Sequence, residues 1–132
     1  MPIPKIFPHP ILVKKEDLDE LNHVNNVVYL SYLQEAAIHH WYSTAPKEIA
    51  EAIRWVVRKH EIEYFKPAHE ADQLIVNTWV SNFTQVSSER HYQIKRGDEL
   101  LVKASTLWIA LDAKKMKPIR IPASTAESFF ES

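Results

Sequence analysis

The polar stretch Asp17–Asn26 (DLDELNHVNN) crowds carboxylate, amide and imidazole side chains together and leads directly into the apolar run Val27–Leu30 (VVYL). Apolar residues then recur at helical spacing until about Ser43, which predicts one long helix. Its apolar stripe is wide, so we expect the rest of the fold to enclose the helix on most sides. Asn25 or Asn26 suits the N-cap, and the stretch therefore marks the entrance of the longest helix.

Most of the remaining chain predicts strands. A proline-held arm, residues 1–10, leads into a short strand at Ile11–Val13, and a short helical turn follows the long helix at Pro46–Ile53. Four strands with short connections then fill residues 54–112, with a bend at Arg58–Glu61 and a hairpin turn at Arg96–Glu99. Such an order favours an antiparallel sheet, whose apolar face only the long helix can cover. The predicted fold is α+β, one long central helix wrapped by a curved five-stranded antiparallel sheet.

Composition narrows the class of protein. The 132 residues predict one domain over 1–132, and a net charge of −1 without a basic stripe argues against a nucleic-acid partner. No stretch is apolar for long enough to cross a membrane, and there is no cysteine to form a disulfide or a thiolate metal site. Gly97 is the single glycine, which excludes glycine-rich phosphate loops. We therefore expect a soluble, cytoplasmic protein.

The polar stretch also carries possible chemistry. A carboxylate such as Asp19, in a loop just before a helix, lies near first-turn amides that can polarise a carbonyl. It could attack that carbonyl or activate water against it, which is the chemistry of acyl transfer and ester hydrolysis. The alternative is structural: aspartates and asparagines commonly cap turns and helices, and His23 could simply donate to a backbone carbonyl. Spacing alone favours the structural alternative, and no group of histidines and carboxylates predicts a metal site.

The order of these residues resembles a known family. The pattern Asp17-x-Asp19-x-x-Asn22-His23-Val24-Asn25-Asn26-x-x-Tyr29, followed by Glu35-Ala36, is similar to the signature of the hotdog-fold thioesterases. The most similar groups are the 4-hydroxybenzoyl-CoA thioesterase type and the related acyl-CoA and acyl-ACP thioesterases. Downstream, Tyr64–Ala68 and Ile121-Pro122 also match, so the resemblance covers nearly the whole chain.

The resemblance implies roles for particular residues. Asp19 matches the catalytic aspartate, which is nucleophile or general base toward the thioester carbonyl. The backbone N–H of Asn26 matches the amide that polarises this carbonyl, and His23 matches a histidine that orients water or substrate. Tyr29 is expected to pack near the acyl pocket. The candidate catalytic residues are thus Asp19, His23 and Asn26, and the candidate substrate-binding residues are Asn22, Tyr29, Arg90 and Arg96.

Three departures from the family pattern are visible. Asn22 stands where many members carry glycine, and Leu21 stands where acyl-ACP thioesterases carry asparagine. The segment Thr84–Ser87 is uncharged where hydroxybenzoyl-CoA enzymes present a basic loop to the coenzyme A phosphates. Candidates for phosphate contacts elsewhere are Arg90, Arg96 and Lys103.

The predicted function is hydrolysis of an acyl-CoA thioester without cofactor or metal. The alternatives are an acyl-ACP thioesterase, a hotdog dehydratase or hydratase, and a non-catalytic binder of acyl thioesters. The family implies a homodimer whose sheets join edge to edge, often paired into a homotetramer, with active sites at the subunit interface. Trp55, Trp79 and Phe83 are candidates for the acyl pocket.

Overall fold

The computed structural model describes residues 2–132 and contains five strands and one long helix. In chain order the elements are β1 (Phe7–Leu12), a 3-10 turn (Lys15–Asp17), α1 (Asn26–Thr44), α2 (Lys47–Ala52), β2 (Ile53–Tyr64), β3 (Gln73–Phe83), β4 (Ser87–Arg96), β5 (Glu99–Asp112) and α3 (Ala123–Glu127). All strand pairs are antiparallel, in the order β1-β3-β4-β5-β2. The predicted α+β architecture is confirmed.

Strand β1 begins earlier than the sequence predicts. It starts at Phe7 and includes Pro8 and Pro10, which pair with Asn77 and Ile75 of β3. A proline cannot donate to a ladder and is tolerated on an edge strand, where its nitrogen can face away from the neighbouring strand. Since β1 pairs only with β3, it is such an edge strand, and part of the predicted proline arm is therefore sheet.

Strand β2 forms the opposite edge of the sheet. It pairs with β5 rather than with β3, which follows it in the chain. A bulge lies between Val57 and Lys59, at the position where the apolar pattern predicts a bend. Most of its 12 residues are exposed or only half-buried. This long strand therefore leaves one hydrogen-bonding edge without a partner in residues 2–132.

Helix α1 lies across the sheet and buries one face against it. Tyr29, Leu33, Ala36 and Ala37 are buried against apolar residues of the strands, and small Ala36 is fully enclosed. The helix backbone approaches β1 and β3 most closely. The β5–β2 side of the sheet is therefore covered less tightly than the β1–β3 side. Within residues 2–132, the helices all fall short of the length and apolarity that a membrane crossing demands.

Candidate active site

The polar stretch folds into a tight loop between β1 and α1. Leu18 and Val24 form an isolated antiparallel bridge, and the N–H of Asp19 donates to the carbonyl of His23 at 2.7 Å. The N–H of Val24 donates to the carbonyl of Ala68 at 2.9 Å, which anchors the loop to the β2–β3 connection. The backbone of the loop is therefore held both within itself and against its neighbour.

Asn22 occupies the turn of this loop with a left-handed backbone conformation. Its φ is 61°, a region that glycine adopts freely and asparagine tolerates better than most residues. Many members of the resembled family carry glycine here, so the departure keeps the same backbone geometry. Asn22 is exposed, and its predicted role in substrate binding stays a prediction.

The carboxylate of Asp19 is fixed by its own loop. Its Oδ1 accepts hydrogen bonds from the N–H groups of Leu21 at 2.9 Å and His23 at 3.3 Å. Within residues 2–132 no group donates to Oδ2. One oxygen therefore orients the half-buried side chain, and the other is available for chemistry.

Asp17, the other aspartate of the stretch, has a structural role. Its Oδ2 accepts from the Tyr32 hydroxyl at 2.7 Å and from the Lys14 N–H at 3.1 Å. Burial and the hydrogen bond to Asp17 both raise the pKa of Tyr32, so Tyr32 remains a donor at neutral pH. The geometry thus separates two aspartates that spacing alone could not distinguish.

The N-terminus of α1 presents one unused amide. The Asn25 side chain caps the helix by accepting from the Val27 N–H at 3.0 Å, and the Val28 N–H donates to the Asn25 carbonyl at 2.8 Å. The N–H of Asn26 has no acceptor in the part of the chain that the structure describes. The 19-residue helix places partial positive charge at this end. An oxyanion or a carbonyl oxygen is the natural acceptor for such a group.

His23 and Tyr29 lie beside this helix end. The ring of His23 meets that of His69 edge to face at 5.2 Å, and His23 is half-buried. Tyr29 is buried, and its hydroxyl accepts from the Ala68 N–H at 3.0 Å. Burial raises the pKa of Tyr29. Tyr29 therefore ties α1 to the β2–β3 connection, a contact that the sequence did not predict.

The two candidate arginines have different surroundings. Arg96 donates to Asp72 at 2.7 Å and also pairs with Glu99. Arg90 is buried on the helix-facing side of β4 and donates through Nη1 to His40 Nδ1 at 2.8 Å and to Thr78 Oγ1 at 3.1 Å. Coenzyme A phosphate contacts by either residue stay a prediction.

A cavity of about 620 Å³ lies between the C-terminal half of α1 and the β5–β2 side of the sheet. Its walls are mainly apolar and aromatic: Gln34, Ala37, Ile38, Trp41, Tyr42, Ile53, Arg54, Trp55, Val56, Val57, Phe83, Ser88, Arg90, Trp108 and Phe129. Trp55 and Phe83, two of the three residues predicted for an acyl pocket, line this cavity. Trp79 does not, and its ring instead stacks on that of His91. A mainly apolar cavity of this volume is typical of a small-molecule site.

Asp19 and the cavity lie at opposite ends of α1. Gln34, the first cavity residue on the helix, follows Asn26 by eight residues, which corresponds to about 12 Å along the axis. Trp41 lies about two turns further on. Within one chain the catalytic candidates and the cavity are therefore separate.

Comparison with known proteins places these features in a family. Residues 13–129 match the family model of the thioesterase-like superfamily. The acyl-CoA thioester hydrolase YbgC of Escherichia coli O6:H1 is 29% identical over 128 residues, covering 94% of this chain and 96% of the relative. A chloroplastic acyl-[acyl-carrier-protein] hydrolase, FATB2 of Cuphea viscosissima, is 26% identical over 70% of this chain but only 25% of its own length.

Solved structures agree with the fold. A thioesterase from Thermus thermophilus, determined in complex with coenzyme A and zinc, superposes with a TM-score of 0.80 at 25% identity. The match covers 92% of this chain and 95% of that one. The match to the family model spans nearly the whole chain, and the helix and sheet are those of the hotdog fold. The chain therefore belongs to the thioesterase-like superfamily, and the prediction of a thioester hydrolase is confirmed.

Proposed function

We propose that this acyl-CoA thioesterase uses Asp19 as its catalytic carboxylate and the Asn26 N–H to polarise the thioester carbonyl. One observation carries the assignment: the loop fixes Asp19 through Oδ1, leaving Oδ2 unused, just before a helix whose Asn26 amide has no acceptor in residues 2–132. These two groups are the nucleophile or base and the oxyanion donor that thioester hydrolysis needs.

Each step follows from these groups. Asp19 Oδ2 either attacks the carbonyl carbon or takes a proton from a water molecule that attacks it. In both routes the carbonyl oxygen gains negative charge, which the Asn26 N–H and the positive end of α1 stabilise. The carbon–sulfur bond then breaks and coenzyme A leaves as the thiolate. In the water route the free acid forms directly, and the proton taken up by Asp19 passes to the thiolate. In the attack route a water molecule hydrolyses the acyl–Asp19 anhydride, which releases the acid, restores the carboxylate and supplies the proton of the thiol. His23, which belongs to the same loop, helps orient water or substrate, and no cofactor or metal takes part.

In a dimer, Asp19 of one chain would lie close to the cavity of the other chain. The free edge of β2 exposes the apolar side chains of Val56 and Val57, and an unpaired edge of this length is a template for another strand. Two β2 strands related by a two-fold axis would pair antiparallel, so the Ile53 end of one would meet the Tyr64 end of the other.

That pairing completes the site. The hydroxyl of Tyr64 donates to the Asn26 carbonyl at 3.2 Å, so the C-terminal end of β2 lies next to the N-terminus of α1. The cavity lies at the opposite, Ile53 end of β2. In the dimer, the catalytic loop of one subunit would therefore approach the cavity of the other. A homodimer of this kind, with further pairing into a homotetramer, is part of the proposal.

Replacement of Asp19 tests the assignment. Because general acid–base groups typically contribute about 10²–10⁴-fold, we expect Asp19→Asn and Asp19→Ala to lower kcat at least 100-fold on a panel of acyl-CoAs, measured as free thiol. Glu20→Gln, an exposed carboxylate next in the chain, is the matched control and should retain normal activity. Near-normal hydrolysis by the Asp19 variants would exclude the mechanism.

The same assay separates the remaining alternatives. A hydratase or dehydratase releases no thiol, and a non-catalytic binder retains acyl-CoA without turnover. Acyl carrier protein thioesters belong in the panel, since one relative is an acyl carrier protein hydrolase. Full activity after treatment with a chelator is expected. The cytoplasmic location stays a prediction that cell fractionation can test.

A further inference from the structure

The cavity contains a buried positive charge that no acidic side chain balances. Arg90 is only 5% exposed, and in residues 2–132 no carboxylate oxygen lies within ion-pair distance of its guanidinium. The walls include a second arginine, Arg54, and neither aspartate nor glutamate. An otherwise apolar cavity is therefore electropositive where Arg90 lines it.

The groups that do contact Arg90 are neutral. Its Nη1 donates to His40 and to Thr78, whose hydroxyl in turn donates to the His91 carbonyl at 2.9 Å. Burial and the neighbouring guanidinium lower the pKa of His40 to about 3, so His40 carries no charge at neutral pH. Burial lowers the pKa of Arg90 to about 10, so Arg90 stays protonated. Burying an unpaired charge is costly, and a bound anion would offset that cost.

Part of the Arg90 guanidinium also lacks a partner. Nη1 is occupied by His40 and Thr78, whereas Nε and Nη2 have no acceptor in the described part of the chain. Ser88 adds a hydroxyl to the cavity wall on the Arg90 side of β4. Native proteins rarely leave buried donors unpaired. Acceptor oxygens from a ligand would satisfy the free N–H groups of Arg90.

We propose that the cavity binds acyl groups with a carboxylate at their far end, held by the free N–H groups of Arg90. A guanidinium matches a carboxylate through two parallel hydrogen bonds, and the aromatic walls suit the methylene chain between the carboxylate and the thioester. The substrate class is thus the coenzyme A monothioester of a dicarboxylic acid. This inference rests on the proposed function, which supplies the thioester end of the same ligand.

The carboxylate site can be tested with pairs of substrates whose acyl chains have equal length, one with a terminal carboxylate and one without. Wild-type protein should hydrolyse adipoyl-CoA with a kcat/KM at least tenfold above that of hexanoyl-CoA, and suberoyl-CoA should show the same advantage over octanoyl-CoA. Arg90→Gln, which keeps a polar side chain but removes the guanidinium, should reduce this ratio at least tenfold. Arg120→Gln, at an exposed position outside the cavity, is the matched control and should keep the wild-type ratio.

A binding measurement keeps the two proposals distinguishable. Calorimetric titration with non-hydrolysable thioether analogues of adipoyl-CoA and hexanoyl-CoA should show at least tenfold tighter binding of the carboxylated analogue by wild-type protein. Equal kcat/KM and equal affinity for the pair would overturn the carboxylate site and leave the thioesterase intact. If neither ester is hydrolysed, the proposed function fails, and the titration alone decides whether the carboxylate site exists.

Discussion

At the scale of single residues, the burial of His40, reinforced by the neighbouring Arg90, makes stability depend on pH. The folded protein keeps His40 neutral down to about pH 3, whereas the unfolded chain binds a proton below about pH 6.5. Since the unfolded state binds more protons in this window, the free energy of unfolding falls as pH drops from 6.5 toward 3. At pH 5 this loss amounts to roughly 2 kcal/mol.

Urea unfolding at pH 7.5 and pH 5.0 measures this effect. His40→Gln removes the titrating group, so its stability should fall less on acidification than that of wild type, by the same amount of roughly 2 kcal/mol. His39→Gln changes the exposed neighbour on the same helix and should keep the wild-type dependence. Identical pH dependence for wild type and His40→Gln would show that His40 titrates normally.

Residues close in sequence were predictable, and residues brought together by the sheet were not. Asp19 and Asn26 both belong to the polar stretch at a helix entrance, where local chemistry allowed capping or catalysis and the family resemblance predicted their roles. His40 and Arg90 lie 50 positions apart, and their contact depends on how α1 crosses β4. In the sequence, Arg90 is one of several scattered basic residues. Alternation along β4 places Arg90 on the face of Tyr92 and Ile94, but nothing in the sequence indicates that this face borders a cavity.

At the scale of elements, the N-cap of α1 should set both local stability and the position of the catalytic amide. Asn25→Ala leaves the Val27 N–H without its acceptor, and loss of such a cap costs about 1 kcal/mol. We expect this loss in denaturant unfolding, with a fall in kcat smaller than that of Asp19→Asn. Asn25→Asp restores the acceptor and should recover most of the stability. Equal unfolding midpoints for the alanine and aspartate variants would contradict a capping role.

The helices and strands were largely predictable from the sequence, but the pairing partner of β2 was not. Alternation along the chain predicted the strands after α1, and the apolar period predicted α1 within a residue or two of its bounds. Strand β2 nevertheless pairs with β5, at the far edge of the sheet. The way the sheet wraps around α1 decides which strand pairs with β2, and the residue pattern of β2 does not indicate it. The first residues of β1 were not predicted as strand, because Pro8 and Pro10 are compatible with a strand only at the edge of a sheet. The sequence does not show that β1 lies at an edge.

At the scale of the whole molecule, activity should require two chains. Asp19 lies just before α1, and the cavity flanks the C-terminal half of the same helix. Pairing of the exposed β2 edges of two chains would bring Asp19 of one chain close to the cavity of the other. Val57 lies on this edge beside the bulge and is 36% exposed. Val57→Asp would place like charges near each other across the two-fold axis, which opposes pairing of the two edges.

We therefore expect Val57→Asp to sediment as a monomer at concentrations where wild type is a dimer or tetramer, and to lose at least 100-fold in kcat/KM. Its far-UV circular dichroism should stay native, because the side chain is exposed within one chain. Ile75→Asp, a comparably exposed apolar position on β3 inside the sheet, is the control for adding a charge and should keep the wild-type mass. Val57 also lines the cavity, so a variant that loses activity while keeping the wild-type mass would report local damage rather than lost assembly. A fully active monomer would mean that one chain holds a complete site, and the shared active site would have to be abandoned.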